Sequence, residues 1–203
     1  MGNYILTKDG ELYHHGIKGQ RWGVRRYQNS DGSLTAAGKK RYAVDEIVRE
    51  RDALKINSKT SKGAEVMLDH NHTPAFTRFL ARHNKKVRDL LTNSKSFKIT
   101  ANGEIVGEMD LYKESPDSLN VVWVGVSKKH EGHGYGTAAM KGAIQYAKQT
   151  GCKQVTLEVP GVSPNARHMY EKLGFKSTGE ILGDSDDAWG GLTKMRLDLD
   201  DEK

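Results

Sequence analysis

The hydrophobic positions in the second half of the chain form short alternating runs between turn residues, and this pattern predicts several β-strands. The most apolar run, 121–126, leads into a glycine-rich loop, after which the apolar spacing becomes helical. The predicted elements are strands at 97–100, 104–112 and 121–126, a helix at 136–149, a strand at 154–159, a short helix from Pro164, and strands at 175–179 and 193–199. Asn102-Gly103 is predicted to form a hairpin turn.

The first half of the chain has a weaker pattern. Its predicted elements are a hairpin at 4–13, a helix at 36–56, a linker at 57–63 and a helix at 74–92. Thr35 is placed to cap the first helix, and Thr73-Pro74 is typical of the start of the second. No strand is predicted directly before this second helix.

Composition and charge narrow the class of protein. A length of 203 residues with 36% hydrophobic content allows one ordinary core with appended pieces. No apolar run is long enough to span a membrane and the first residues do not resemble a signal peptide, so no membrane partner is expected. Cys152 is the single cysteine, which is typical of a reducing compartment. We therefore expect a cytoplasmic protein.

The net charge of +6 is unevenly distributed along the chain. Residues 1–100 contain 20 Lys and Arg against 10 Asp and Glu, whereas residues 101–203 contain 12 against 16. The basic character therefore belongs to the N-terminal half. This half either meets an acidic partner or presents an ordinary solvated surface.

The loop at 127–136 joins a predicted strand to a predicted helix, an arrangement typical of anion-binding sites. Its glycines let the backbone approach a ligand, and the free N–H groups of the first helical turn favour negative charge. This geometry predicts a phosphate-bearing ligand.

Two alternatives for this loop are weaker. Gly134, Gly136 and Ala139 fit a dinucleotide-binding fingerprint with Glu158 after the next strand, but such a loop begins where its strand ends and here 127–133 intervenes. The two histidines of His130-Glu-Gly-His133 are three residues apart, whereas a helical zinc site needs four. No metal is therefore predicted.

Two motifs carry a family resemblance. Residues 131–136, EGHGYG, resemble the acyl-CoA loop of the GNAT N-acetyltransferases, R/Q-x-x-G-x-G/A, with Glu131 in place of the usual Arg or Gln. A second motif, SPNARHMYEKLGF at 163–175, follows in the family's order. The resemblance covers about 94–199, roughly half of the chain.

The resemblance implies an α/β (α+β) fold of the GNAT type. Its central sheet is mixed and mostly antiparallel, with a V-shaped splay between strands 4 and 5, and here an N-terminal helical and basic extension precedes it. The family also has a first strand and two helices that shape the acceptor groove, and the first strand is missing from the prediction. The predicted divisions are a basic appendage at 1–42, a helical segment at 43–92, the GNAT domain at 93–199 and an acidic tail at 200–203.

The resemblance further implies a co-substrate, acetyl-CoA, and the residues that hold it. The backbone of the central strand would bind the thioester. The loop, the helix start and the second motif would bind the other parts of acetyl-CoA. The implied cofactor-binding residues are Val124, Gly125, Val126, Glu131, Gly132, His133, Gly134, Tyr135, Gly136, Thr137, Ser163 and Asn165. Ser163 stands where the family often has an asparagine.

The catalytic residues implied by the resemblance are Tyr170 as the acid that protonates the leaving thiolate and Glu158 as the base that deprotonates the amine. Glu108, Asp110 and a water-mediated route stay open as alternatives for the base. Tyr170 also fits a core aromatic position, and Glu158 an outward-facing strand carboxylate. An acidic loop at 183–189 either borders the acceptor site or is a solvated turn.

The N-terminal segment HHGIKGQRWGVRRYQN, from His14, resembles a motif of phage and prophage proteins of Gram-positive bacteria. Its basic and aromatic residues suit docking on a partner protein, such as a phage structural or host protein, and suit nucleic acid less well. The expected function is acetyl-CoA-dependent transfer to a primary amine in a bacterial cytoplasm. The alternatives are a virion-associated or host-interaction protein with a degenerate GNAT scaffold, and nucleic-acid binding through the N-terminus.

Overall fold

The computed structural model describes residues 4–6, 12–14, 27–29, 31–184 and 188–199. The chain divides into two compact units, residues 1–46 and residues 47–203. In the first unit, β1 (Tyr4–Leu6) and β2 (Leu12–His14) form an antiparallel hairpin, as predicted. The first helix, α1 (Ala36–Asp52), begins with the predicted cap, since Thr35 Oγ1 accepts the N–H of Gly38 at 3.1 Å.

The second unit is built on one eight-stranded sheet in the order β3-β4-β5-β6-β7-β8-β10-β9. Its strands are β3 (Lys55–Lys59), β4 (Glu65–His70), β5 (Ser94–Ala101), β6 (Glu104–Ser115), β7 (Ser118–Val126), β8 (Gln154–Pro160), β9 (Lys176–Leu182) and β10 (Leu192–Asp198). The helices are α2 (Ala75–His83), α3 (Lys85–Asn93), α4 (Tyr135–Gln149) and α5 (Pro164–Lys172). All strand pairs are antiparallel except β7 with β8, which confirms the mixed sheet.

The hydrophobic core covers one face of this sheet. Leu111, Val121, Leu157 and Met195 are cross-strand neighbours on β6, β7, β8 and β10, and all are buried. Cross-strand neighbours point to the same face, so these side chains form a continuous apolar row. Helix α4 packs against this face through its buried residues, which include Ala139, Met140, Ala143 and Ala147.

Two predictions for the first half of the chain are wrong. Residues 57–63 are not a linker, because they belong to β3 and to the turn after it. A strand does precede the helices of this region, although none was predicted there, and it is β4. Strand β3 buries only Ile56 and therefore looks polar in sequence. In β4 the buried positions are Val66, Leu68 and His70, and the histidine hides the apolar alternation.

The predicted helix boundaries also change. Helix α1 ends at Asp52 rather than at 56, and the helix predicted over 74–92 is two helices. The break is at Asn84, whose side chain accepts the N–H groups of Lys86 at 2.9 Å and Val87 at 3.4 Å and so starts α3. Phe76, Phe79 and Leu90 on these two helices are each more than half exposed.

A buried polar cluster joins α1 to α3 and β5. The guanidinium of Arg51 donates to the carbonyls of Leu91 and Ser94, which satisfies carbonyl groups at the end of α3. His70 lies beside it, with Nδ1 2.6 Å from the carbonyl of Asn71 and Nε2 accepting the N–H of Ser96 at 3.3 Å. Burial first, and then the charge of Arg51, lower the pKa of His70 to about 4.

None of the helices in the described ranges is both long and apolar enough to cross a membrane.

Candidate active site

Strands β7 and β8 separate partway along their length. They are paired in parallel from Ser118 with Gln154 to Val121 with Leu157, and the pairing then stops although β7 continues to Val126 and β8 to Pro160. The edge of β7 that faces β8 therefore has no ladder partner over 122–126 in the sheet pairing of the described strands. This opening is the predicted V-shaped splay.

A β-bulge lies where the strands separate. Asp110 of β6 pairs with Trp123, and the next residue, Leu111, pairs with Val121, so Val122 is an extra residue on β7. A bulge bends its strand and increases the local twist. Val122 is 61% exposed and Trp123 is 53% exposed, so both side chains are accessible beside the splay.

The glycine loop leads from the end of β7 to the start of α4. A 3₁₀ turn at Lys128–His130 is followed by Gly132 and Gly134, which have φ of +76° and +82°. L-residues with side chains rarely adopt this backbone conformation, so these two positions require glycine. Gly134 is the N-cap of α4 and provides no side-chain cap.

The first turn of α4 consequently presents backbone donors at its open end. The N–H of Ala138 is bonded to the carbonyl of Gly134 at 3.0 Å, whereas the preceding N–H groups of Tyr135, Gly136 and Thr137 are those that every helix leaves without an intrahelical partner. No side chain caps them within the described part of the chain. The structure therefore has a helix start without a side-chain cap directly after the glycine loop.

Histidine side chains hold the loop in shape. His133 Nδ1 lies 2.9 Å from the carbonyl of Glu131 and 3.2 Å from that of His130, and its ring stacks on Tyr135 at 5.7 Å. A carbonyl accepts only, so Nδ1 carries the proton. His130 Nε2 lies 3.7 Å from a carboxylate oxygen of Glu104. Glu131 itself is exposed.

Helix α5 reaches the same region. A Cβ on Gly136 would lie 3.6 Å from Cγ2 of Val126 and 3.9 Å from Sδ of Met169, so the loop, the end of β7 and α5 meet there. The next residue, Tyr170, is 7% exposed, and its ring contacts Phe175 edge-on at 6.0 Å. Burial raises the pKa of the Tyr170 phenol and so favours its protonated form.

The second motif forms the predicted start of α5. Ser163 is the N-cap and Pro164 is the first helical residue, but the Ser163 side chain makes no cap bond. The Ser163 hydroxyl therefore does not cap the N-terminus of α5. Asn165 is exposed in the first turn. Gly174 follows the helix with φ of +92°, which is typical of the residue after a helix end.

Glu158 lies one residue past the last pairing of β8 with β7 and is exposed. Its neighbours Leu157 and Val159 are buried in the core, and side chains alternate along a strand, so Glu158 points to the opposite face of the sheet. Arg167 of α5 donates to Thr193, the cross-strand neighbour of Val159, at 2.7 Å. Helix α5 is therefore on the core face, and Glu158 and Tyr170 belong to opposite sides of the sheet.

The alternative carboxylates are on β6. Glu108 is the cross-strand neighbour of Gly125, and Asp110 is that of Trp123. Both therefore lie next to the part of β7 that borders the splay, on the strand at its other edge. In the acidic loop at 183–189, residues 185–187 lie outside the described ranges.

Sequence reasoning missed two residues that shape the site. A Cβ on Gly107 of β6 would lie 2.1 Å from the carbonyl oxygen of Gly125, so only glycine allows this close approach to β7. A glycine within a predicted strand is a known sign of close backbone approach. Thr60, after β3, lies against Gly134, with its Cβ 3.8 Å from a Cβ placed there. Nothing in the local sequence indicates this contact.

The split parallel strand pair beside the start of α4 is the arrangement that the GNAT resemblance implied. The model of the acetyltransferase (GNAT) family matches residues 64–175, and the chain belongs to this family. Residues 7–29 match a family of unknown function, DUF7211.

Solved structures confirm the fold. A GNAT family acetyltransferase from Elizabethkingia anophelis, with acetyl-CoA bound, has 19% identity and a TM-score of 0.51, over 66% of this chain and 98% of that one. A Bacillus subtilis acetyltransferase in complex with CoA has 19% identity and a TM-score of 0.50, over 67% and 99%. Ard1 from Thermoplasma volcanium has 18% identity and a TM-score of 0.50, over 79% and 94%.

A curated relative matches a shorter stretch. Human N-acetyltransferase 8B is 31% identical over 62 residues, which are 30% of this chain and 27% of that protein. The match therefore spans about a quarter of the relative's length.

Proposed function

We propose that this protein transfers an acetyl group from acetyl-CoA to a primary amine, such as a protein N-terminus, a lysine or a small amine. The observation that carries the proposal is the splay between β7 and β8 next to the uncapped start of α4. Family membership and the co-substrates bound to the two bacterial enzymes support acetyl-CoA as the donor.

The binding roles follow from the available groups. The N–H groups at the start of α4, with Gly132, His133 and Gly134, would hold the diphosphate. The unpaired edge of β7 at 124–126 would bind the pantetheine arm and donate to the developing oxyanion. The hydroxyl of Ser163 and the amide of Asn165 would bind the arm from α5.

The chemistry is direct attack in a ternary complex. A neutral amine attacks the thioester carbonyl, the C–S bond breaks, and the sulfur takes a proton as CoA leaves. Tyr170 is the proposed proton donor, because its burial keeps the phenol protonated. Glu158 is the proposed base, and its place on the opposite face suits an amine that approaches from that side. Glu108 and Asp110 are the alternatives.

Replacing Tyr170 by phenylalanine tests the acid. The change removes only the hydroxyl, so we expect kcat to fall by roughly 10²–10⁴-fold while acetyl-CoA affinity stays within a few-fold. CoA release would be measured over a panel of amines, peptides and aminoglycosides, with acetyl-CoA affinity measured by calorimetry. Tyr112→Phe, on an exposed strand position, is the matched control. An unchanged kcat for Tyr170→Phe would remove this assignment.

The same calorimetry separates an enzyme from a non-catalytic scaffold. A degenerate scaffold predicts no heat with millimolar acetyl-CoA. The first strand of the family, which the sequence did not predict, is present as β4, so its absence does not support a degenerate scaffold. Nucleic-acid binding through 14–42 predicts steep salt dependence that deletion of the segment abolishes.

A further inference from the structure

Strand β3 runs beside α4 towards the start of this helix. A Cβ on Gly142 would lie 3.3 Å from Cγ2 of Ile56 and 3.7 Å from Cβ of Ser58, and a Cβ on Gly134 would lie 3.8 Å from Cβ of Thr60. The helical rise from 134 to 142 is about 12 Å, and the strand rise from 56 to 60 is about 13 Å. The two lengths agree, so β3 follows α4 in the opposite direction and ends at the N-terminus of the helix.

The turn after β3 is held tightly against this helix start. The N–H of Thr60 donates to the carbonyl of Ala64 at 2.9 Å, the N–H of Gly63 donates to the carbonyl of Thr60 at 3.0 Å, and the Thr60 hydroxyl accepts the N–H of Ala64 at 3.0 Å. Thr60 is 7% exposed. Ser61 and Lys62 at the tip of the turn are exposed. The position of the tip is therefore set by hydrogen bonds and by the packing of Thr60.

Residues 60–63 of this turn lie just before the region that the family model matches, which begins at Ala64. Lys62 places a positive charge in this turn, and Glu131 places a negative charge in the glycine loop. Lys59 is paired with Glu65 at 3.7 Å, whereas Lys62 forms no ion pair with any residue in the described ranges. Lys62 is exposed at the tip of the turn, two residues after the Thr60 that packs on the N-cap residue of α4, and a lysine side chain is long and flexible.

We propose that Lys62 binds a phosphate group at the nucleotide end of acyl-CoA, so that the turn at 60–63 forms a wall of the co-substrate site. This inference rests on the proposed function. The ammonium group would supply N–H donors, as an Arg or Gln at the position of Glu131 does in the related loop. The glycine loop also carries Lys128 and Lys129, and carboxylates lie at Glu131 in the loop and at Glu104, which is 3.7 Å from Nε2 of His130.

The test measures the affinity of acetyl-CoA and of 3′-dephospho-CoA by calorimetry for the wild type, Lys62→Ala and Lys141→Ala. Lys141 is an exposed lysine farther along α4 and is the matched control for charge. We expect Lys62→Ala to weaken acetyl-CoA binding about tenfold, as for a partly exposed charge-assisted contact. The control variant should bind as the wild type does, and thermal unfolding should be the same for all three proteins.

The two ligands identify the phosphate. A loss with acetyl-CoA that disappears with 3′-dephospho-CoA supports contact with the 3′-phosphate, and an equal loss with both supports contact with the diphosphate. A merely structural role for Lys62 would not distinguish the ligands and would lower the unfolding temperature. Unchanged affinity of Lys62→Ala for both ligands overturns the inference and leaves the proposed function standing. A wild type that binds neither ligand overturns both.

Discussion

The substitution Gly107→Ala tests whether the end of β7 sets the geometry of the active site. Gly107 is the cross-strand neighbour of Val126, and a Cβ there would lie 2.1 Å from the carbonyl oxygen of Gly125 and 3.0 Å from Cα of Val126. Ordinary contacts of this kind are longer than 3.0 Å, so the two strands must separate by about 1 Å. The part of β7 that moves is the part proposed to bind the thioester.

The expected effect of Gly107→Ala is larger on activity than on folding. Misplacing catalytic groups by 1 Å costs about 100-fold in rate, and overpacking costs about 1–3 kcal/mol in the free energy of unfolding. The assay is kcat at saturating acetyl-CoA and amine, together with urea denaturation. Ile105→Ala, at an exposed position on the same strand, is the control and should change neither quantity appreciably. If Gly107→Ala keeps the wild-type kcat and affinity, the placement of Gly125 and Val126 does not control catalysis.

Two further predictions concern stability. The pKa of His70 is about 4 in the folded protein, against an ordinary value of 6.5. Between these two pH values the unfolded chain binds more protons than the folded protein does. The free energy of unfolding therefore falls as the pH falls, by up to about 3 kcal/mol. Urea denaturation at pH 4.5 and 7 should show this loss, and His70→Asn should reduce it; an equal loss in the variant would contradict the assignment. Asn84→Ala removes the cap of α3 and should cost about 1 kcal/mol in urea denaturation, while the neighbouring exposed Lys85→Ala should cost less. Equal effects would show that the cap is not stabilising.

The sequence predicted the parts of the site whose conformation depends on near neighbours. The loop with Gly132 and Gly134, the helix after it and the start of α5 at Ser163-Pro164 are all where they were expected. Positive φ, helical periodicity and the missing N–H of proline act within a few residues, so they can be recognised locally. The roles of Tyr170 and Glu158 remain predictions that the proposed experiments address.

Strand pairing was harder to predict because its partners are distant in sequence. Strand β3 buries only Ile56, and its place in the sheet comes from pairing with β4 and from packing on α4 at Gly142. The close approach of Gly107 to Gly125 likewise depends on the register of β6 and β7. Neither contact has a counterpart in local composition.

The amino-acid sequence by itself therefore determined a glycine-rich loop between a strand and a helix, and the two motifs of an acetyltransferase family. Only the tertiary structure decided where β7 and β8 separate, through the bulge at Val122, and which added turn lies beside the loop. The reason is physical: backbone dihedral preferences are set by adjacent residues, whereas register, bulges and packing are set by contacts between segments that only the folded chain brings together.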